Sequence, residues 1–382
     1  MKFTLAFLFL FTIVPFANSQ IAITDISPAE CNDIIEDELC SYINSNGSEM
    51  INVNIILKSQ IDQNTLRSVA KKANDKKEYR ALVINELKRF SKDNQADIMT
   101  FLLAEAEANN VTDIKAHWIQ NSINCTATAN VIYRIAEHPD VQLISHNKDE
   151  YLLWDEQSEK AEQGGREITD NITQVNADDV WNAGYTGKGV VVAVIDSGVN
   201  YDHIDLKDHL WNGGPEYPYH GFDFVNDDND PKDDHSHGTH CAGTVCGDGT
   251  SGTKTGMAPD ATLMCIKVLN SRGSGNLSNL TSGVEFAVEN GADILSLSLG
   301  WGFPKVATSN SLRIIFNNVL EAGVIASVAA GNDGEYETYP RNIGSPRHRR
   351  TLPQCHGCRW STGRRTEGGA HGQPGRQSGD PA

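Results

Sequence analysis

The sequence lacks any apolar run long enough to cross a bilayer. The longest, residues 3–16, has no longer counterpart later in the 382 residues, and a spanning helix needs about 20 apolar residues. Basic side chains are also scarce, since 32 Lys and Arg stand against 50 Asp and Glu, for a net charge of −18. An acidic surface does not favour binding to a phosphate backbone. Neither a stable membrane anchor nor a nucleic-acid partner is therefore expected.

Cysteine is too sparse for a dense disulfide framework, with eight residues in the whole chain. Cys31 and Cys40 are close enough along the chain to pair locally. Cys241, Cys246 and Cys265 also lie near one another, but spacing alone does not assign their bridges.

The N-terminus, by contrast, contains the features of a secretory signal. Lys2 supplies a positive start, residues 3–16 are the apolar run, and Ala17-Asn18-Ser19 offers a small-x-small cleavage site. We therefore expect residues 1–19 to be a signal peptide and the protein to be secreted.

The first half of the chain is predicted to contain a leader, a small folded domain and a linker. Residues 20–50 form the leader and residues 51–153 the domain. Within the domain, apolar periodicity predicts strands at 51–57, 114–127 and 141–146, and helices at 78–107, with a polar break near 91–94, and at 130–136. This order is typical of a small α+β ferredoxin-like domain. The polar residues 154–174 are expected to form an exposed linker.

The character of the chain changes after residue 175. The β-branched run VVVAVI at 190–195 is typical of a strand buried on both faces. Further strands are predicted at 262–269, 294–299 and 323–329, with helices at 280–290 and 309–321 between them. Alternating strands and helices predict an α/β fold over residues 175–345, a parallel sheet with helices on both faces.

Three polar residues follow these predicted strands, where open parallel sheets place catalysts. Asp196 ends the first strand, His237 lies in HSHGTHCAGT, and Asn332 lies in a Gly-rich turn after the last strand. Each has an ordinary structural reading. Asp196 could cap a turn, and Asn332 could belong to an Asn-Asp-Gly turn. His237 could bind a metal together with His235 and His240, but their spacing matches no common zinc pattern, which favours a single functional histidine.

Taken together, the stretches VVVAVIDSGV, DDHSHGTHCAGT, SLSLGWG and SVAAGNDG, in this order, resemble the subtilisin-like serine protease family over residues 175–345. The resemblance implies that Asp196 orients an imidazole, that His237 acts as general base and then acid, and that Asn332 stabilises the oxyanion. It also implies a substrate groove that binds peptides by strand addition. The implied groove residues are Gly273, Ser274, Gly275, Ser298, Leu299, Gly300, Ala329, Ala330 and Gly331.

The same resemblance gives the N-terminal part of the chain a role. Residues 51–153 are expected to be an inhibitory propeptide, cut from the catalytic part somewhere in 154–174. Protein or peptide substrates and the chain's own propeptide are the expected partners, and no cofactor is required for catalysis. A structural Ca²⁺ is a further expectation near Asp227, Asp228 and Asp230, because that segment is dense in carboxylates, although a solvated acidic loop would have the same composition.

The resemblance breaks near residue 345. The family pattern requires a GTSMA-like segment carrying the nucleophilic serine, and nothing of that kind follows Asn332 in this sequence. Residues 345–365 (SPRHRRTLPQCHGCRWSTGRR) have almost no β-branched residues to bury in a strand. Codons permitted for residues 350–362, read one base over, can encode AARYPNVMAVGGV, which is similar to the family's next strand. We therefore infer a reading-frame shift, a disordered tail over 346–382 and an inactive chain.

Two other hypotheses remain open. The protein could be a secreted, non-catalytic peptide binder that kept the groove and lost the nucleophile. Alternatively, only residues 51–148 could fold and act as a propeptide-type inhibitor. Cys355 and Cys358 form a CxxC pair, but a zinc or redox site would need partners that the sequence does not offer.

Overall fold

The computed structural model describes residues 31–47, 49–153, 168–300 and 306–329. We call residues 31–153 the N-terminal unit and residues 168–329 the C-terminal unit. The N-terminal unit contains α1 (Asp37–Asn46), β1 (Ile51–Leu57), α2 (Gln63–Ala70), α3 (Lys76–Glu107), β2 (Val111–His117), β3 (Ser122–Ala127), α4 (Ala129–Ala136), β4 (Val141–His146) and β5 (Glu150–Tyr151). The C-terminal unit contains α5 (Asp170–Gln174), α6 (Ala177–Asn182), β6 (Val191–Asp196), β7 (Gly221–Asp223), α7 (His237–Cys246), β8 (Thr262–Lys267), β9 (Ser274–Gly275), α8 (Leu277–Glu289), β10 (Ile294–Leu297), α9 (Val306–Glu321) and β11 (Ile325–Val328).

The N-terminal unit is built on a four-stranded antiparallel sheet in the order β2-β3-β1-β4. With helices between β1 and β2 and between β3 and β4, this is the βαββαβ arrangement of ferredoxin-like domains. The single extended stretch predicted over 114–127 is wrong in detail, because the structure folds it into the hairpin β2–β3. Asn121, at a positive φ of 52°, lies in the turn, a conformation that asparagine tolerates well.

Helix α3 differs from the sequence prediction, since its 32 residues run without the break expected near residues 91–94. Ser91 lies in the helix interior and donates its hydroxyl to the Lys88 carbonyl at 3.1 Å. Gln95 is buried and donates to the His117 and Ser122 carbonyls and to the Asn121 side chain. The polar stretch is therefore used inside the unit rather than in a loop.

The segment before residue 50 is also more ordered than predicted. Helix α1 buries Leu39 and Ile43 against the sheet, and Ile35 bridges Ile144 on β4. Cys31 and Cys40, which are close enough along the chain to pair, form a disulfide. The predicted boundary at residue 50 is therefore wrong: apolar side chains before it belong to the same core as the sheet.

The C-terminal unit has a five-stranded sheet, entirely parallel, in the order β11-β10-β6-β8-β7. The chain proceeds from β6 towards β8 on one side and returns to β10 on the other, so the direction of winding switches beside β6. Crevices open at the carboxyl ends of strands at such a switch point. The predicted α/β fold is confirmed, and it places Asp196 at the switch point.

The predicted linker is too long at its carboxyl end. Ile168 bridges Lys254, the Thr169 N–H donates to the Lys254 carbonyl at 3.2 Å, and Ile172 is fully buried. The C-terminal unit therefore begins by residue 168 rather than at 175. Residues 154–167 lie outside the described part of the chain.

The two units share one hydrophobic core. Leu66, Val83 and Leu87 from α2 and α3 belong to the same buried cluster as Val319 of α9 and Val284 of α8. Burial of apolar area is the main favourable term in such an interface. The N-terminal unit therefore lies on the outer helices of the C-terminal unit. Within the described ranges, none of the helices is both long and apolar enough to cross a membrane.

Candidate active site

Asp196 and His237, 41 residues apart in sequence, meet at the carboxyl end of β6. The Asp196 carboxylate is fully buried, and its Oδ1 accepts from His237 Nδ1 at 2.7 Å. The same oxygen accepts the Ser197 N–H at 2.7 Å. The bond between His237 Nδ1 and Asp196 fixes the tautomer that carries the Nδ1 proton. Nε2 is therefore the basic nitrogen of the ring. The pair can therefore take up and return a proton at His237 Nε2.

Close backbone contact between α7 and the turn after Asp196 sets this geometry. A Cβ atom at Gly238 would lie 2.0 Å from the Gly198 carbonyl oxygen and 3.1 Å from Asp196 Cβ. Any side chain at position 238 would therefore push the start of α7 away from the aspartate. This is the physical reason for a glycine directly after the histidine.

Burial acts to lower the pKa of His237, but the hydrogen bond and the negative charge of Asp196 outweigh it, so the pKa lies above its ordinary value of 6.5. Cys241, one turn along α7, packs its Sγ 3.7 Å from His237 Nδ1 and 3.9 Å from Nε2. Burial raises the pKa of the Cys241 thiol, so the thiol is neutral at pH 7.

A metal ion would find three side chains here. Potential ligand atoms of Asp196, His237 and Cys241 lie within 4.8 Å of one another, the one such cluster in the described ranges. Zinc binding by all three side chains would require the neutral Cys241 thiol to lose its proton. His235 and His240, which the metal reading of the sequence requires, are not members of the cluster.

Beside this pair, part of the N-terminal unit lies as a strand against the predicted groove residues. Glu150 and Tyr151 pair antiparallel with Gly275 and Ser274. The next residue, Leu152, donates its N–H to the Gly273 carbonyl at 3.0 Å, and its own carbonyl accepts the Gly300 N–H at 3.0 Å. The segment 150–152 is therefore held between two backbones of the C-terminal unit.

Leu152 and Leu153 bury their side chains there, at 1% and 3% exposure. A Cβ at Gly273 would lie 2.8 Å from Leu153 Cδ1, and Gly273 has a positive φ of 71°. Glycine at this position thus admits both the turn and the apolar side chain.

Two buried polar residues lock the units together further along α8. The Glu285 carboxylate accepts the N–H groups of Trp118 and Ile119 at 2.5 and 2.8 Å. His117, 2% exposed, places Nδ1 3.4 Å from Glu285 Oε2 and Nε2 2.9 Å from Ser278 Oγ. Glu285 lies within α8 among buried residues, and no motif in the sequence marked it as a contact between the units.

The acidic side chains of the predicted calcium segment have protein partners in this structure. Asp230 accepts the Tyr201 hydroxyl at 2.7 Å, Asp228 accepts the Asp230 N–H at 2.8 Å, and neither shares a ligand cluster with Asp227. Hard cations need several oxygens around one point. A Ca²⁺ site in this segment stays a prediction.

Part of the predicted site lies outside the described residues. This applies to Ala330, Gly331, Asn332 and the tail over 346–382. Ala329 is described, and its N–H donates to the Leu297 carbonyl at 3.0 Å. Ser298 and Leu299 follow β10 directly, next to Gly300.

Residues 187–351 match the model of the subtilase family. Over 179 residues the chain is 42% identical to the minor extracellular protease Vpr of Bacillus subtilis (strain 168), covering 44% of this chain and 21% of that protein. It is 35% identical over 188 residues to subtilisin E of the same organism, covering 49% and 46%. The crystal structure of a cold adapted subtilisin-like serine proteinase aligns at 31% identity and a TM-score of 0.32, covering 39% and 49%.

The fold and the buried Asp–His pair define an α/β unit with a hydrogen-bonded carboxylate and imidazole at a switch point of its parallel sheet. The match over residues 187–351 and the identities to Vpr and subtilisin E make this part of the chain similar to the subtilisin-like serine proteases. It spans about half or less of the length of these two relatives.

Proposed function

We propose that the C-terminal unit is the catalytic part of a subtilisin-like endopeptidase precursor that works through Asp196 and His237. The observation that carries the proposal is the 2.7 Å bond from His237 Nδ1 to the fully buried Asp196 carboxylate. In peptide hydrolysis by this family, the imidazole takes the proton of a serine hydroxyl and gives it to the leaving amine. Asp196 would keep the ring oriented and stabilise the imidazolium.

Peptide substrates would lie between residues 273–275 and 298–300, as added strands. Asn332 would donate its side-chain amide to the oxyanion. The nucleophilic serine is not contributed by any GTSMA-like segment of this sequence. A base without its nucleophile hydrolyses peptides very slowly, so we propose that the chain as written is inactive.

We further propose that the N-terminal unit is the intramolecular inhibitor of this groove. The antiparallel pairing of β5 with β9 and the bonds of Leu152 to Gly273 and Gly300 support this, because a substrate would need the same backbone groups. Removal would require cleavage after residue 153, and the packing of Ile168 favours a site before that residue. The predicted signal peptide and the extracellular relative support secretion.

A second candidate is a non-catalytic peptide binder. It is favoured by one combination, the strand pairing of residues 150–151 with 274–275 together with the lack of a GTSMA-like segment in this sequence. Its ligand would be an extended apolar peptide like residues 150–153.

The test uses a fluorophosphonate probe, which reacts only with an activated serine. The purified full chain should remain unlabelled under conditions that label a complete subtilisin. Stoichiometric labelling that is lost in a His237→Ala variant would contradict the inactive assignment and support catalysis. The gene sequence across residue 345 separates the two candidates: a serine motif in another frame supports the precursor, and an in-frame foldable segment without it supports the binder.

A further inference from the structure

A buried lysine lies beside Asp196 in the sheet, and its ammonium group bonds to neither the Asp196 nor the His237 side chain. Lys267, at the end of β8, is opposite Asp196 in the parallel register and only 1% exposed. Its Nζ donates to the Ser197 carbonyl at 2.8 Å, the Leu269 carbonyl at 2.7 Å and Asp234 Oδ1 at 2.6 Å. The ammonium group therefore donates all three of its protons in hydrogen bonds, which offset the desolvation of the buried charge.

These three acceptors belong to three different parts of the candidate site. Ser197 directly follows Asp196, and Asp234 lies three residues before His237. Leu269 leads from β8 towards the groove residue Gly273. One fully buried ammonium group therefore ties the aspartate turn, the histidine segment and the groove strand together.

Asp233 completes the connection from the histidine side. Its carboxylate accepts the Ser197 hydroxyl at 2.9 Å and the N–H groups of Ser236 and Thr239 at 2.9 Å each. Ser197 Oγ in turn accepts the N–H of Gly238 at 3.0 Å. The start of α7 is thus held to the aspartate turn by contacts that bracket His237 on both sides.

We infer that Lys267 is a positioning residue for the Asp196–His237 pair, acting through Ser197 and Asp234. The inference rests on the proposed function, since a pair of no chemical use would need no such support. A hydrogen bond of 2.7 Å between two segments 41 residues apart requires both segments to be fixed. Two of the three Lys267 bonds go to those segments, and no other described side chain bonds to both the Ser197 carbonyl and Asp234.

The experiment follows the Nδ1 proton and the titration of His237 by NMR in the full chain labelled with ¹⁵N-histidine. Lys267→Met should bring the pKa of His237 down towards 6.5 and speed exchange of the Nδ1 proton on the order of tenfold, the equivalent of about 1.4 kcal/mol. Asp234→Asn should shift both in the same direction but less, because the two carbonyl bonds of Lys267 remain. Lys232→Met is the matched control, since Lys232 pairs with Asp202 in the same region and does not bond to this network.

A folded Lys267→Met chain with the native titration and exchange of His237 would overturn the inference. If Lys267→Met does not fold, Asp234→Asn decides, and an unchanged His237 signal in that variant overturns the inference equally. Asp196→Asn distinguishes a failure of the proposed function from a failure of the Lys267 inference. If removal of the carboxylate leaves the His237 titration unchanged, the pairing behind the proposed function is wrong. If Asp196→Asn alters it and the other two variants do not, only the role of Lys267 fails.

Discussion

At the scale of single residues, the Asp196–His237 pair combines two opposing effects. Complete burial of a carboxylate is unfavourable unless its charge is compensated. Here, the imidazole and the Ser197 N–H compensate it on one oxygen. The charge in turn raises the pKa of His237 despite its burial.

The raised pKa predicts how stability depends on pH. A histidine whose folded pKa exceeds its unfolded value contributes stability that is complete below the unfolded pKa, near 6.5 for His237. This stability is lost as the pH rises through the folded pKa, about 10 for His237. The native chain should therefore exceed an Asp196→Asn variant in stability most clearly between pH 5 and about 6.5, and the difference should shrink on going towards pH 10. Urea unfolding midpoints across this range measure it. A difference that grows with pH would contradict the assignment.

At the scale of elements, the short pairing of β5 with β9 depends on Gly273. Alanine there would place Cβ 2.8 Å from Leu153 Cδ1, in addition to the strain of a positive φ. We predict that Gly273→Ala displaces residues 150–153 from the groove. Hydrogen exchange of the Leu152 N–H, bonded to the Gly273 carbonyl in the native chain, should become faster on the order of tenfold or more, as expected for the loss of about 1.4 kcal/mol or more.

Gly189→Ala is the matched control for this prediction. Gly189 has a similar φ of 84° with nothing within 4 Å of its added Cβ. It should therefore suffer the backbone strain without the clash, and exchange at Leu152 should stay native. Equal effects of both variants would show that strain alone, rather than contact with Leu153, explains the result.

At the scale of the whole molecule, the N-terminal unit is held by buried polar contacts as well as by apolar area. Glu285→Ala would leave the N–H groups of Trp118 and Ile119 without their acceptor and His117 without its charged partner. Unsatisfied buried donors of this kind cost about 2–4 kcal/mol together. We predict a lower urea midpoint and earlier proteolytic release of the N-terminal unit.

Glu289→Ala tests whether that loss is specific. Glu289 pairs with Lys88 across the same interface, with both side chains partly exposed, and exposed pairs contribute about 0–1 kcal/mol. The urea unfolding midpoint of Glu289→Ala should therefore stay close to that of the native chain. If the two variants lose the same stability, general charge attraction rather than the buried Glu285 contacts holds the units together.

The sequence by itself determined much of this protein. The β-branched run before Asp196 requires a buried strand, alternation of strands and helices requires a parallel sheet, and the motifs around Asp196 and His237 indicate the family. These signals are local, because periodicity and short motifs depend on neighbours in the chain. The same locality explains the errors at residues 20–50, 91–94 and 114–127, where helix packing and a hairpin turn depended on distant contacts.

Only the tertiary structure decided which polar residues act together. Lys267 and Glu285 lie in no motif, and Asp233 and Cys241 lie within DDHSHGTHCAGT without a role predicted from it. The partners of these residues lie from a few to more than a hundred and sixty residues away in sequence. The partners of Asp228 and Asp230 in the acidic segment are likewise set by the fold, whereas composition alone gave only an expectation of Ca²⁺. Burial makes the difference: a charged side chain must find a partner once water is removed, and chain topology alone sets which partner is within reach.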